Sequence, residues 1–190
     1  MKDLKPAILL FLAFTLICGG IYPAAVTGIA AIVFPHQAAG SLVTDRSGQV
    51  RGSRLIGQPF SDPGYFWPRP SATADFPYNP VASGGSNLGP TNPDYLQAVS
   101  GRVQALRATG VSGPIPAELV QASASGLDPH LSPQAALVQI PRVAKSRGMS
   151  EDALKKLVAD HTKGRQFGIL GEPRVNVLAL NMALDRAAPR

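Results

Sequence analysis

The sequence predicts an α+β protein: one N-terminal transmembrane helix followed by a small mixed extracytoplasmic domain. Three observations point there. Residues Pro6 to Phe34 carry no Asp, Glu, Lys or Arg. Beyond that run, apolar residues recur at helical spacing in segments opened by Asn, Ser or Pro, with only brief strand-like stretches between them. The composition, 190 residues with 45% hydrophobic, 18 prolines and 19 glycines, suits one ordinary domain with an appendage and excludes both disorder and a large regular sheet. The single cysteine, Cys18, excludes an internal disulfide and a cysteine-rich zinc site.

The apolar run comes first. Its roughly 29 residues reach about 43 Å as helix, enough for a hydrocarbon core of about 30 Å with surplus for tilt. Pro23 removes a backbone donor and predicts a kink, which membranes tolerate where neighbouring protein satisfies the freed groups. Partner helices are therefore expected. A cleaved secretory signal has an apolar region of about 7–15 residues, roughly half this length, although Ala38, Ala39 and Gly40 supply small residues. Thr15, Leu16 and Ile17 lack the small side chains that precede a lipid-modified cysteine, so Cys18 reads as an inert membrane residue. Lys2 and Lys5 flank the start of the run with Asp3 between them, and the next basic residue is Arg46. The positive-inside rule then puts residues 1–5 in the cytoplasm, 6–34 across the cytoplasmic (inner) membrane and 35–190 outside. With Lys2, Lys5 and Asp3 set aside, 16 basic and 11 acidic residues remain, a net charge of +5. That charge favours anionic headgroups or an acidic partner, and the absence of a stacking or groove-reading motif argues against nucleic acid.

The outer part opens with two short apolar runs, Ser41 to Thr44 and Arg54 to Gly57, separated by Asp45-Arg46-Ser47-Gly48-Gln49, the pattern of a hairpin. Residues 59–93 hold eight prolines with Gly64, Gly84, Gly85 and Gly89, which excludes regular structure. Phe60, Tyr65, Phe66, Trp67, Phe76 and Tyr78 make a flexible linker implausible, and the segment reads as a compact loop packed by its own rings. Asn92-Pro93 caps a helix with Tyr95, Leu96, Val99, Val103 and Leu106 on one face, ending at Gly110. Ser132-Pro133 starts another through Ala136, Leu137 and Ile140, with a kink or break at Pro141 before Arg142 to Gly148. Ser150 opens a third, with Leu154, Leu157 and Val158 on one face, and a last helix runs from Asn176 to Asp185.

Few residues form a chemical constellation. The glycine-rich loop Ser83, Gly84, Gly85, Ser86 and Asn87 offers exposed amides that suit a phosphate, yet it lacks the Gly-Lys-Ser/Thr ending of a P-loop. His130 and His161 with Asp128 fall short of a metal site, because Asp128-Pro129-His130 reads as a turn and His161 as a helix end. Ser123, Ser125, Asp128 and His130 lack the Gly-x-Ser-x-Gly frame of a hydrolase. No catalytic residue, metal or tightly bound cofactor is expected. Lys163-Gly164-Arg165, Arg174 and Arg69, the last held between Pro68 and Pro70, suit an anionic partner.

These blocks together resemble the C subunits of the Kdp potassium-transporting ATPases. The likeness runs from Tyr22-Pro23 through Gly52-Ser53-Arg54-Leu55-Ile56-Gly57-Gln58, Arg69-Pro70-Ser71, Tyr78-Asn79-Pro80 and Ala82 to Asn92. It continues through Ala122 to Pro133, His161 to Arg165, and Leu170-Gly171-Glu172-Pro173-Arg174-Val175-Asn176. One departure is Ala122-Ser123-Ala124-Ser125-Gly126, where the family pattern has glycine in place of Ala124. The resemblance implies an accessory subunit of a high-affinity potassium pump. Its implied partners are a channel-like A subunit, a B subunit that hydrolyses ATP through an aspartyl phosphate, and a small F subunit. It also implies a catalytic chaperone that raises the affinity of the B subunit for ATP, with Ser83 to Asn87 as nucleotide contact and ATP bound only through the complex. Since ATP is cytoplasmic and the loop is expected outside, such an effect has to be indirect. Arg69, Tyr78, His130, His161, Arg165 and Arg174 are the candidate docking residues. The alternative is a membrane-anchored envelope enzyme or binding module unrelated to transport.

Overall fold

The computed structural model describes residues 3–188; Lys2, one of the charges that sets the expected orientation, lies outside them. The chain divides into two units, one ending at Leu42 and one starting at Val43.

The first unit is a 30-residue apolar helix, Leu4–Val33, long and apolar enough to cross a membrane. It consists of α1 (Leu4–Leu16), a π-helical turn (Ile17–Ile21) and α2 (Tyr22–Val33). The sequence predicts a kink at Pro23; just before that residue the helix widens into the π-helical turn. Proline has no N–H to return to the preceding turn, and within the wide turn the Tyr22 N–H bonds the Ile17 carbonyl five residues back. A short α3 (Pro35–Ala38) follows.

The second unit begins with the hairpin of β1 (Leu42–Thr44) and β2 (Val50–Ser53). Its return strand precedes the Arg54 to Gly57 stretch expected from apolarity. Asp45 sets that register. Its Oδ1 accepts from the Ser47 and Gln49 amides at 2.8 and 3.0 Å, and its Oδ2 pairs with Arg51. The hydrogen bond from Ser47 leads the interactions that hold this carboxyl down at about 2. The turn therefore closes on Val50 and Arg51, whatever their hydropathy.

Helix α4 (Pro93–Ala108) is capped as expected, the Asn92 side chain accepting from the Asp94 amide at 2.8 Å. Leu106 is buried and Val99 and Val103 pack on the core, whereas Leu96 is exposed. A 3₁₀ turn (Ala117–Leu119) leads to β3 (His130–Leu131). The next pair, α5 (Pro133–Leu137) and α6 (Ile140–Arg147), breaks at Val138–Gln139 and not at Pro141. Pro141 sits in the first turn of α6, where its missing N–H costs no hydrogen bond. Ser150 caps α7 (Glu151–Asp160), after which come β4 (Thr162–Lys163), β5 (Arg174–Asn176) and α8 (Val177–Ala187). Strands order as β3-β5-β4, all antiparallel, with Leu131 and Thr162 both facing Val175 in register.

The core gathers Leu131, Ile140, Val143, Leu154, Val158, Val175, Leu180 and Leu184 around a fully buried Phe66. That aromatic comes from the irregular loop 59–93. The rings of this loop mostly pack against the helical core and not on each other: Phe60 and Tyr65 touch at 5.4 Å, while Phe76 stays exposed. What fixes the loop backbone is a set of polar side chains from the helices. Asn181 of α8 accepts from the Phe66 amide (2.9 Å) and donates to the Phe66 carbonyl (3.0 Å). Gln139 does the same to Trp67, at 2.8 and 3.1 Å. Arg142 donates to the Pro63 and Tyr65 carbonyls, and its guanidinium lies 4.1 Å from the centre of the Trp67 ring. Its burial brings it down to about 10. Arg147 donates to the Gly64 carbonyl and pairs with Asp185. Irregular backbone thus enters the core with its hydrogen bonds made.

Candidate functional site

The candidate residues fall into three places. The first is the glycine-rich loop, packed beside the second serine-bearing loop. The Gly84 N–H and the Ser83 hydroxyl both donate to the Ser125 carbonyl, at 2.9 and 3.1 Å. A methyl group on Gly85 would stand 3.2 Å from the Ala124 carbonyl oxygen. Gly126 completes the contact: it has φ +68°, and a Cβ there would meet the Gly84 carbonyl oxygen at 2.7 Å. Ser83 and Gly84 therefore spend donors on holding two loops together. Ser86 and Asn87 are exposed, Asn87 at φ +54°. A phosphate cradle needs several consecutive amides aimed at one point, and here Gly84 is already committed.

The second place centres on Asp128. Its Oδ2 pairs with Arg69 Nη1 at 2.9 Å, and its Oδ1 accepts from the His130 amide at 3.0 Å with His130 Nδ1 3.4 Å away. The Tyr78 hydroxyl donates to the Arg69 carbonyl. Burial acts to raise the Asp128 carboxyl, but the His130 hydrogen bonds and the Arg69 charge outweigh it and leave it below the usual carboxylate range. Burial, with the Asp128 charge added, pushes the Tyr78 hydroxyl well above its usual value. The Tyr78 ring lies against Gly57, where a Cβ would come within 2.6 Å of it. Sequence reading places Arg69, Tyr78 and His130 together as docking residues; the structure brings them together as an internal brace. With Phe60, Trp67, Arg102 and Leu119 the brace helps line a mostly apolar concavity of about 320 Å³ between the loop and α4.

The third place is the hairpin from Thr162 to Asn176. His161 ends α7, its Nδ1 2.9 Å from the Leu157 carbonyl. Arg165 forms two 2.7 Å contacts to Glu172. Gln166 and Leu170 exchange backbone hydrogen bonds at 2.8 and 2.9 Å around a tip of Phe167, Gly168 and Ile169. Phe167, Ile169 and Leu170 are 84%, 74% and 55% exposed. The sequence reading stops at Arg165 and resumes at Leu170; the signal it passes over is an apolar stretch between basic residues, with Gly168 and Gly171 as turn formers. No group of three His, Cys, Asp or Glu suited to a metal occurs among the described residues, and His130 and His161 make separate local contacts.

Fold and site define a helix-tethered α+β domain whose polar groups are largely engaged in bracing its own loops. Residues 4–186 match the family described as K+-transporting ATPase, c chain. The chain is 72% identical over 189 residues to the potassium-transporting ATPase KdpC subunit of Geobacter metallireducens, covering 100% of each chain. It is 68% identical over 189 residues to that of Geobacter sulfurreducens, again covering 100% of each. For the subunit of Methylococcus capsulatus the figure is 58% over 187 residues, 97% of this chain and 98% of the relative. The chain belongs to the K+-transporting ATPase c-chain family.

Proposed function

We propose that this chain is the non-catalytic accessory subunit of a potassium pump, anchored by Leu4–Val33 in the cytoplasmic membrane with its C-terminal domain outside. The observation that carries this orientation is the charge distribution about the apolar helix: Lys5 lies in its first turn, and no further Lys or Arg follows until Arg46. The reading has the helix pack on the channel-like A subunit, in a complex with the ATP-hydrolysing B subunit and the small F subunit. The outer domain docks on an acidic rim near the potassium entry, where it stabilises the assembly.

Any increase in ATP affinity at the B subunit is then an allosteric coupling through subunit contacts, because a loop across the bilayer cannot touch cytoplasmic nucleotide. The internal hydrogen bonds of Ser83 and Gly84 accord with a structural role for that loop. Docking falls to Arg165, Arg174 and the neighbouring His161, with Arg69, Tyr78 and His130 shaping the domain behind them.

Sidedness tests the reading. A cysteine is placed at exposed Ser86 in a Cys18→Ala background and treated with an impermeant maleimide. Labelling in cells with an intact cytoplasmic membrane is expected. Labelling only after permeabilisation would overturn the orientation and return Ser83 to Asn87 to direct nucleotide contact.

A further inference from the structure

We propose that the hairpin tip Phe167-Gly168-Ile169-Leu170 is an apolar plug that inserts into a carboxylate-rimmed pocket on a protein partner within the pump. This rests on the accessory-subunit reading and adds to it the element and the chemistry of its contact.

Two independent observations carry it. The tip exposes three large apolar side chains at the end of a rigid turn, with Phe167 held at φ +54°, a conformation that a non-glycine residue adopts at a cost. At the stem, Lys163 and Arg174 are direct cross-strand partners, so two like charges share one face of the ladder. Neither has an ion-pair partner among the described residues. Arg165 is matched by Glu172, and the hairpin keeps a net charge of +2 from Lys163 and Arg174. An element strained at its tip and self-repelling at its stem is poorly optimised for the free subunit. An acidic rim offsets the repulsion at the stem, and an apolar pocket covers the exposed side chains of the tip.

A protein fits better than a bilayer. Interfacial anchors favour Trp and Tyr, and none occurs between His161 and Asn176. The turn is also pre-ordered: Gly168 and Ile169 amides donate to the Arg165 and Gln166 carbonyls, both at 3.2 Å. Between Lys163↔Arg174 and Gln166↔Leu170 the return strand carries one extra residue, accommodated by Gly171 at φ +74°. Such rigidity lowers the entropy lost on docking into a shaped pocket. A surface that gathers potassium is expected to be rich in carboxylates, which complements the stem.

The test uses the assembled pump in detergent, captured through a tag on its ATP-hydrolysing subunit, with retention of this chain as readout. Replacing Phe167, Ile169 and Leu170 together by Ser is expected to reduce retention about tenfold or more. The melting temperature of the free chain should stay unchanged, since these side chains touch little. Lys163→Glu turns the repulsive cross-strand pair into an attractive one. It is expected to raise the melting temperature by about 1–2 °C while still weakening retention, opposite signs that a purely structural role does not produce. Wild-type retention of the triple variant would overturn the plug and leave the accessory-subunit reading standing. Failure of the wild-type chain to be retained would sink that reading itself. A bimane on Ile169→Cys in the Cys18→Ala chain, quenched by brominated lipid in vesicles without the other subunits, would assign the tip to the bilayer instead.

Discussion

At the residue scale the stability of the second unit rests on a few buried polar side chains. Asn181 supplies one donor and one acceptor to Phe66, a match that leucine of similar size cannot make. Asn181→Leu orphans a buried N–H and a buried C=O and is expected to cost about 2–4 kcal/mol, read from the denaturant midpoint of the chain in mild detergent. Asp128 gives a pH signature. Its carboxyl lies lower in the folded chain than its ordinary 3.8. The stability it supplies is therefore fully present above pH 3.8 and disappears as pH falls through the lowered folded value. Asp128→Asn should flatten that part of the acid-unfolding profile, and an unchanged acid limb would show that the pairing with Arg69 and His130 contributes nothing. None of this was visible in sequence for Gln139 and Asn181, since an amide amid apolar helix positions looks the same whether it faces solvent or clamps a loop. The Asp128-Pro129-His130 turn was legible, because an Asx side chain bonds its own backbone two residues on.

At the element scale, helix starts were read correctly wherever chemistry is local: Asn92, Ser132, Ser150 and Asn176 all cap through their side chains. Errors arose where one apolar run competed with a turn that closes early, as at Asp45, or where proline was taken as a break when it opens a helix, as at Pro141. The glycine-rich loop shows a further limit. Its composition suited a ligand cradle, yet the serine-bearing loop opposite it, distant in sequence, takes up the amide of Gly84. Gly126 is the pivot of that contact, left-handed and within 2.7 Å of a carbonyl oxygen if given a Cβ. Gly126→Ala is expected to destabilise the domain by more than about 1 kcal/mol and to raise hydrogen exchange in residues 83–86 and 123–126 together. Protection lost in one loop alone would contradict a shared contact.

At the scale of the whole molecule, an apolar helix of 30 residues joins a domain whose sequence carries a net charge of +5 beyond the span. Contacts on an acidic partner between exposed charges are screened over about 8 Å at physiological salt, whereas helix packing within lipid is not. In detergent, raising salt from about 50 to 500 mM should therefore weaken the contact of the second unit with an acidic partner more than it weakens retention of the chain. Crosslinking from Gly164→Cys in the Cys18→Ala background, at an exposed position with open space around it, reads the first and retention the second. Full release by salt would mean that the span contributes little to assembly. The broad plan, one long apolar helix and a small mixed domain, was legible because hydropathy over a long run is a strong signal. The hairpin tip, Phe167 to Leu170, escaped it because so short a stretch carries no periodicity.

The amide clamps also order events in time. Phe66 waits for Asn181, 115 positions later, and Trp67 for Gln139, 72 positions later. During synthesis the aromatic segment therefore emerges long before the groups that satisfy its backbone, and closing so long a loop is slow. A chain broken off before α8 lacks the side chain that satisfies the Phe66 N–H and C=O inside the core. A chain lacking the last helix is therefore expected to be cut faster by protease than the full chain.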